Sequence, residues 1–158
     1  FYFTSDEDTK LVTRTIEYRD NVIAASNSMM AKNLFKLSHY FDAPQYRELS
    51  DQMLKNVLPE AAKYPSGFSN WLDLLANHQF NYYEIVVAGA NAKDKLQDLQ
   101  NKFIPNALFA GAATPSTSYL LQERFIENET LIYVCVNNAC RLPVSEVKAA
   151  LKTIKISE

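Results

Sequence analysis

The first half of the chain places apolar residues at the three- and four-residue spacing of amphipathic helices. Residues 26–42, 43–64 and 68–80 all have this spacing. Their apolar stripes are Met30, Leu34, Leu37 and Phe41; Tyr46, Leu49, Met53 and Val57; and Phe68, Trp71, Leu72 and Leu75. Pro44 suits the start of the second helix, and Pro59 predicts its end or a kink, because proline cannot donate to the helical ladder. The short joints predict helices packed antiparallel to their neighbours.

Beyond about residue 81 the pattern changes to short apolar runs rich in β-branched residues, which are typical of buried strands. These runs cover residues 82–90, 106–114 and 130–136. Two helical stripes lie among them, formed by Leu96, Leu99 and Phe103 and by Val144, Val147, Leu151 and Ile154. The order of elements predicts a small, three-stranded, mostly parallel sheet with helices packed on it. The predicted fold is therefore α+β, with a helical region at 1–80 and a small α/β portion at 81–158.

Composition excludes several classes of protein. The chain has 158 residues, 47% hydrophobic and 12% aromatic, which suits one globular domain or two small ones. Its net charge is −2 and no basic run occurs, so nucleic acid is not an expected partner. No apolar run is long enough to span a membrane, and the first residues resemble neither a secretory signal nor a transit peptide. A cytoplasmic location without a membrane partner is expected.

Both cysteines, Cys135 and Cys140, lie between the last apolar run and the last helical stripe. Three interpretations stay open for them: buried structural thiols, a functional thiol pair, or part of a metal site. A redox dithiol normally has two intervening residues rather than four. Asn137 and Asn138 favour a tight turn between them. We expect two reduced thiols without a metal, Cys135 buried at the end of its strand and Cys140 near the last helix, because a reducing compartment suits so few cysteines.

Other candidate ligand sites are weak. Gly89 follows a buried run and precedes a helix, as in phosphate-binding turns, but the further glycines and the acid of a dinucleotide site are missing. His39 and His78 are the only histidines, and neither has a partner at metal-ligand spacing. We therefore expect no cofactor and no metal.

A polar turn precedes the first predicted helix and contains Asp20, Asn27 and Ser28. Ser26 or Asn27 would be an ordinary N-cap of that helix. The alternative is a polar cluster that lines a pocket at the start of the helix. We expect Asp20, Asn27 and Ser28 to come within hydrogen-bonding distance there, because the first backbone amides of a helix need acceptors.

Several stretches occur in an order that resembles one known family. They are residues 3–41, 85–89, 103–106 and 133–144. The family comprises large thioredoxin-domain-containing proteins and includes the spermatogenesis-associated thioredoxin-like proteins. Its members have a thioredoxin-like domain, then an α/α toroid like that of six-hairpin glycosidases and N-acylglucosamine 2-epimerases, and finally a small α/β portion. The resemblance covers nearly all of this chain, but only about the last quarter of such a protein.

The resemblance extends to single positions. Thr4, Asp6, Leu11 and Arg14 match one family run; Asp20, Asn27 and Ser28 match a second; Cys135, Asn137, Cys140 and Pro143 match a third. At Ala24, Ala25 and Ser26 the family has Pro, Ser and Gly, so the resemblance does not extend to a backbone contact that depends on that glycine, although the polar Asn27–Ser28 pair is kept.

The resemblance implies that residues 1–80 are the last hairpins of an α/α toroid. Arg14, Asp20, Asn27 and Ser28 would then line one wall of its cavity, in a part that is structural or completes a ligand pocket. The alternative is a wall of a carbohydrate-active enzyme, although this piece is not expected to be a complete enzyme. The expected partners are the thioredoxin-like domain and the other toroid helices. The start at Phe1 rather than methionine also suits a processed protein or a piece of a longer one.

A piece of a toroid would leave one apolar side uncovered. The residues expected on that side are Phe35, Leu37, Phe41, Trp71 and Leu75. Leaving five large apolar side chains in water would cost on the order of 10 kcal/mol. We therefore expect either a homodimer or a rearrangement of the first twenty residues over that side.

Overall fold

The computed structural model describes residues 1–2, 4–5, 7 and 13–155. Asp6 and Leu11, two of the residues that match the family pattern, lie outside these ranges. The chain divides into two compact units. Unit 1 comprises Phe1–Ser38 and Ala43–Ala76, and unit 2 comprises His39–Asp42 and Asn77–Glu158. No helix in the described ranges is both long and apolar enough to cross a membrane.

The three predicted helices of the first half are confirmed. They are α1 (Ser26–Phe41), α2 (Pro44–Ala61) and α3 (Ser69–Gln79), with a short 3-10 turn at Pro65–Gly67 before α3. Helix α2 starts at a proline as expected, but it continues through Pro59 to Ala61. Of the two expected effects of Pro59, an end of the helix at this residue was therefore wrong, and the kink stays a prediction. So close to the C-terminus, the proline removes only one hydrogen bond from the final turn.

The buried faces of α1 and α2 lie about one position away from the predicted stripes. Met30, Tyr46 and Leu49 are exposed, although each was expected to point inward. The buried positions are Asn27, Ser28, Ala31, Leu34, Phe35, Ser38 and His39 in α1, and Ser50, Leu54, Val57 and Ala61 in α2. Ser50 Oγ donates to the carbonyl oxygen of Ala31 at 2.9 Å. Two small residues thus form one contact between the helices, at positions that the prediction, based on large apolar residues, did not include.

Phe35 and Trp71 are each 1% exposed, so the expected apolar side is covered at both positions. At Trp71 the cover comes from the first twenty residues, which is one of the two expected outcomes. Trp71 Nε1 donates to the carbonyl oxygen of Tyr18 at 2.7 Å, so the segment before α1 covers this side chain. The rings of Tyr18 and Phe68 also lie close together, with their centroids 6.3 Å apart. Leu37 and Leu75 are half-buried, and Phe41 is exposed. The homodimer stays a prediction.

Unit 2 contains the sheet. Its strands are β1 (Tyr83–Ala88), β2 (Ala107–Ala112), β3 (Leu131–Val136) and β4 (Ala139–Cys140), and its helices are α4 (Ala92–Gln100) and α5 (Val147–Leu151). The strand order is β2-β1-β3-β4. Strands β1 and β2 are parallel, as expected for two strands joined by a helix.

The expected three-stranded, mostly parallel sheet was wrong in two respects. Strand β3 runs antiparallel to β1, and β4 adds a fourth strand antiparallel to β3. The connection from β2 to β3 contains no helix, so the chain returns in the opposite direction instead of crossing over. The last helix is also shorter than predicted, because Val144 pairs with Ile132 in an isolated bridge.

Strand β1 is buried along its whole length. Because side chains alternate along a strand, Tyr83, Ile85 and Val87 lie on one face. They form a core with Leu99 of α4 and Ala150 of α5. Glu84 lies on the opposite face and is 1% exposed. The central strand thus carries a carboxylate into a buried environment.

Gly89 ends β1 with a φ of 131°. A Cβ atom at this position would collide with the carbonyl oxygen of Glu129 and lie 2.6 Å from Thr130 Cα. The close approach of another backbone segment therefore explains the glycine. Thr130 Oγ1 also accepts a hydrogen bond from the backbone N–H of Asn91 at 3.1 Å.

Candidate functional site

Asp20 joins the starts of two helices in unit 1. Its Oδ1 accepts hydrogen bonds from Ser28 Oγ at 2.7 Å and from the backbone N–H of Ala25 at 3.0 Å. Its Oδ2 accepts a hydrogen bond from the backbone N–H of Asn70 at 2.9 Å, at the start of α3. The expected contact between Asp20 and Ser28 is confirmed. Both side chains are buried and hold the helix starts together.

The hydrogen bonds determine the charge state of Asp20. Burial by itself would raise the pKa of the Asp20 carboxyl group, but hydrogen bonds from Ala25, Ser28 and Asn70 lower it below its usual value. The carboxylate therefore stays ionised in its buried position, where its acceptors are fully used. This arrangement suits a structural link better than a group that exchanges a proton with a ligand.

Asn27 has other partners. Its Nδ2 donates to the carbonyl oxygens of Glu17 at 2.8 Å and of Phe1 at 2.9 Å. Glu17 also accepts hydrogen bonds from the backbone N–H groups of Ser26 at 3.1 Å and of Asn27 at 3.3 Å. The cap of α1 thus comes from Glu17 and Asp20, and the expectation of Ser26 or Asn27 as N-cap was wrong. Sequence reasoning missed Glu17 because it lies nine residues before the first turn.

The structure separates Arg14 from the other candidate pocket residues. Arg14 Nη2 donates to the carbonyl oxygen of Thr4 at 2.6 Å, and its guanidinium lies 4.2 Å from the centre of the Tyr2 ring. The side chain is exposed. Among the four candidates, Asp20 and Ser28 come together, whereas Arg14 and Asn27 each bond elsewhere.

A cavity of about 330 Å³ lies in unit 1. Tyr18 and Trp71 form part of its wall, and the polar residues Asn27, Asn56 and Glu60 also line it. Asn27 is thus the candidate pocket residue that borders this cavity. Tyr18, Asn56, Glu60 and Trp71 come from three separate segments, so no local motif could have identified them.

Glu60 provides a carboxylate in the cavity wall. Its Oε2 accepts a hydrogen bond from the Tyr18 hydroxyl at 3.2 Å, and its other oxygen forms an ion pair with Arg19. The hydrogen bond and charge of Glu60 raise the pKa of the Arg19 guanidinium. Aromatic faces, amide groups and a paired carboxylate together offer both packing surfaces and hydrogen-bonding groups to a small polar molecule.

Unit 2 contains a second cluster of polar residues, centred on Glu84. Its Oε1 lies 2.8 Å from His39 Nδ1, and its Oε2 accepts a hydrogen bond from the backbone N–H of Asn138 at 3.3 Å. Asn138 Nδ2 donates to Asp42 Oδ1 at 3.4 Å. From the sequence alone, His39 is a lone histidine, because Glu84, the carboxylate that contacts it, follows 45 residues later. An acidic residue inside an otherwise apolar strand was the signal that could have identified the pair.

Cys135 and Cys140 form a disulfide, so the expectation of two reduced thiols was wrong. The two residues lie opposite each other in the β3–β4 hairpin, with Cα atoms 3.9 Å apart. Asn137 and Asn138 form the expected tight turn, with φ of 49° and 64°. Sequence reasoning missed the fourth strand, whose pairing brings the sulfurs together. Cys135 is buried as expected, and Cys140 is exposed.

Arg124 lies beside the disulfide. Its Nη1 is 3.6 Å from Cys135 Sγ and its Nη2 is 3.4 Å from Cys140 Sγ. Burial lowers the pKa of the Arg124 guanidinium, whereas the charge of Glu84 raises it. Within the described part of the chain, no three His, Cys, Asp or Glu side chains converge as a metal site would require.

Comparison with known proteins gives a distant similarity. The chain is 24% identical to human spermatogenesis-associated protein 20 over 92% of its own length, and 24% and 23% identical to the rat and mouse proteins of that name. It spans 20% of the length of each of these relatives. No protein-family model and no solved structure matches the chain. The chain is therefore a distant relative that corresponds to about a fifth of spermatogenesis-associated protein 20.

Proposed function

We propose that this chain completes a ligand pocket in a longer protein, at the end of an α/α toroid. The cavity of unit 1 would bind a polyhydroxylated, sugar-like molecule. Its volume of about 330 Å³ lies at the lower end of the range for small-ligand pockets. The similarity to a fifth of a longer relative supports a role as part of a larger protein.

The observation that carries this proposal is the meeting of aromatic rings and polar side chains in one cavity. Tyr18 offers an apolar surface against which the C–H groups of a sugar ring can pack, and Trp71 lies beside it in the cavity wall with only 1% of its surface exposed. Asn27, Asn56 and Glu60 offer donors and acceptors for its hydroxyl groups. A purely apolar ligand would form no hydrogen bonds with these groups, so a polar ligand fits the cavity better.

The cavity supports binding rather than catalysis by this chain alone. Glycoside hydrolysis generally uses two carboxyl groups that flank the scissile bond. Of the described residues that line the cavity, Glu60 is the one that carries a carboxylate. It is already paired with Arg19 and Tyr18. If the whole protein is a carbohydrate-active enzyme, a second carboxylate must come from another part of it.

Trp71 provides a direct test because it is the only tryptophan and it lines the cavity. We would titrate the purified chain with glucose, N-acetylglucosamine and maltose while recording tryptophan fluorescence. The expected result is a saturable change in Trp71 emission with at least one sugar. The absence of any saturable change up to the solubility limit of all three would overturn the sugar-binding proposal.

Two variants locate the binding. Asn56→Ala removes an exposed polar group of the cavity wall, and we expect it to weaken sugar binding about threefold to tenfold, because one hydrogen bond to the ligand is lost. Lys55→Ala is the matched control, because Lys55 is an exposed neighbour on the same helix. Equal weakening by both substitutions would show that the sugar binds elsewhere.

A further inference from the structure

The two cysteines of the disulfide in unit 2 differ in solvent exposure. Cys135 is 0% exposed in the sheet, whereas Cys140 is exposed on the two-residue strand β4 at the sheet edge. A thiolate from solution can therefore approach Cys140, and Cys135 becomes the leaving group. Exchange reactions depend on such access and on the stability of the leaving thiolate.

The positively charged guanidinium of Arg124 lies beside the sulfur at which the leaving thiolate would form. The two terminal nitrogens of Arg124 point at the two sulfurs, at 3.6 Å and 3.4 Å. Tyr133 contacts Arg124 twice: the guanidinium lies 5.4 Å from the centre of the Tyr133 ring, and the backbone carbonyl oxygen of Arg124 accepts a hydrogen bond from the Tyr133 hydroxyl at 2.9 Å. An adjacent arginine stabilises a thiolate over a thiol.

The hairpin is held in place independently of the S–S bond. The carboxylate of buried Glu84 accepts a hydrogen bond from the backbone N–H of Asn138 in the turn. After the turn, the backbone N–H of Arg141 donates to the carbonyl oxygen of Val134 at 3.1 Å. The other oxygen of Glu84 contacts His39. Opening the disulfide would therefore leave the two sulfurs close together, ready to close again at high effective concentration.

We propose that Cys135 and Cys140 form a thiol–disulfide exchange site, with Arg124 as the residue that stabilises the thiolates. The reaction partner is a soluble thiol reductant. This inference does not depend on the sugar-binding proposal, since every group it uses belongs to unit 2.

The exchange balances with two equivalents of thiol. A first thiolate attacks Cys140 Sγ, the S–S bond breaks, and Cys135 leaves as a thiolate beside Arg124. A second thiolate attacks the external sulfur of the mixed disulfide, which releases the oxidised reductant and leaves Cys140 as a thiolate. Two electrons pass from the reductant to the cysteines, and the two protons of the reductant go to solvent or to the cysteine sulfurs.

The test measures the equilibrium between the folded chain and a glutathione redox buffer, with free thiols trapped by alkylation and counted by mass spectrometry. We expect the wild-type disulfide to open and close without denaturant. Arg124→Ala should lower the equilibrium constant for reduction about tenfold, because the charged hydrogen bonds to the thiolates are lost. Arg124→Lys should restore part of this loss.

Arg141→Ala is the matched control, since Arg141 is an exposed arginine next to Cys140 in the sequence. It should leave the equilibrium constant unchanged. A wild-type disulfide that opens only in denaturant, or equal constants for Arg124→Ala and wild type, would overturn the proposal and leave a structural cross-link. If Arg124→Ala does not fold, the proposal is tested on the reduced wild-type chain by its thiolate absorbance. Thiolate absorbance at neutral pH supports the proposal, and its absence overturns it.

Discussion

His39 Nδ1 lies 2.8 Å from Glu84 Oε1, and both side chains are buried. The histidine comes from the end of α1 and the glutamate from the central strand, yet both belong to unit 2. A buried carboxylate is tolerated only when its oxygens have partners. His39 and the backbone of Asn138 supply one partner to each oxygen.

Glu84→Gln should therefore destabilise the chain. The amide replaces one acceptor oxygen with an N–H₂ group, which leaves either His39 or the Asn138 N–H without its acceptor. We expect a loss of about 1–3 kcal/mol in the free energy of unfolding, measured by urea titration with circular dichroism. Glu127→Gln is the control at an exposed position and should change stability by less than about 0.5 kcal/mol. Equal effects of the two would refute the role of Glu84.

Asp20 should make stability depend on pH. Its pKa is lower in the folded state than in the unfolded state, so the unfolded chain binds more protons between the two values. The contribution of Asp20 is thus present above its unfolded pKa and is lost as the pH falls through its folded pKa. Asp20→Asn should cost about 1–3 kcal/mol near neutral pH. The difference between wild type and variant should shrink in acid, as measured by thermal unfolding, and a difference independent of pH would contradict this.

Alanine substitutions at Gly89 and Gly111 should lower the free energy of unfolding by different amounts. At Gly89 the positive φ and the collision with the Glu129 backbone leave no room to adjust, so Gly89→Ala should cost about 2–4 kcal/mol. At Gly111 the new methyl group meets mainly the end of the Leu96 side chain, which can rotate. Gly111→Ala should therefore cost less, about 1 kcal/mol. Comparison of the two midpoints of urea unfolding tests this order, and the reverse order would contradict it.

Reduction of the disulfide should lower stability only modestly. The Cys135–Cys140 bond closes a loop with a sequence separation of 5, and loop-closure entropy for so short a loop is worth about 2 kcal/mol. Dithiothreitol should therefore lower the melting temperature of the wild-type chain while it stays folded. The double variant Cys135→Ala/Cys140→Ala should show no response to the reagent. Complete unfolding of the wild type on reduction would show that the hairpin depends on the bond.

The elements that local patterns determine could be predicted from the sequence. The helices α1 to α4 and the strands β1 to β3 follow from periodicity and from the positions of Pro44 and Gly89. The two-residue turn at Asn137 and Asn138 follows from the tolerance of asparagine for positive φ. Each of these features depends on residues that are neighbours in the sequence.

Features that depend on long-range pairing could not be predicted. The direction of β3 is set by the connection that precedes it, and the strand β4 is too short to show a pattern. Asn70, the distant partner of Asp20, and His39, a partner of Glu84, are separated from these carboxylates by 50 and 45 residues. The candidate cysteines were identified, but their pairing required the register of β3 against β4.

The division of the chain into two units limits which parts of it can be expressed separately. Unit 2 includes His39–Asp42, which precede most of unit 1 in the sequence. A segment expressed from residue 81 onward would keep Glu84 but lose His39 and Asp42, and Oε1 of its buried carboxylate would lose the contact with His39. Neither half can therefore be excised as a continuous segment without removing residues from the other. Expression trials of the separate halves should yield unfolded or protease-sensitive material, even though each unit is compact in the intact chain.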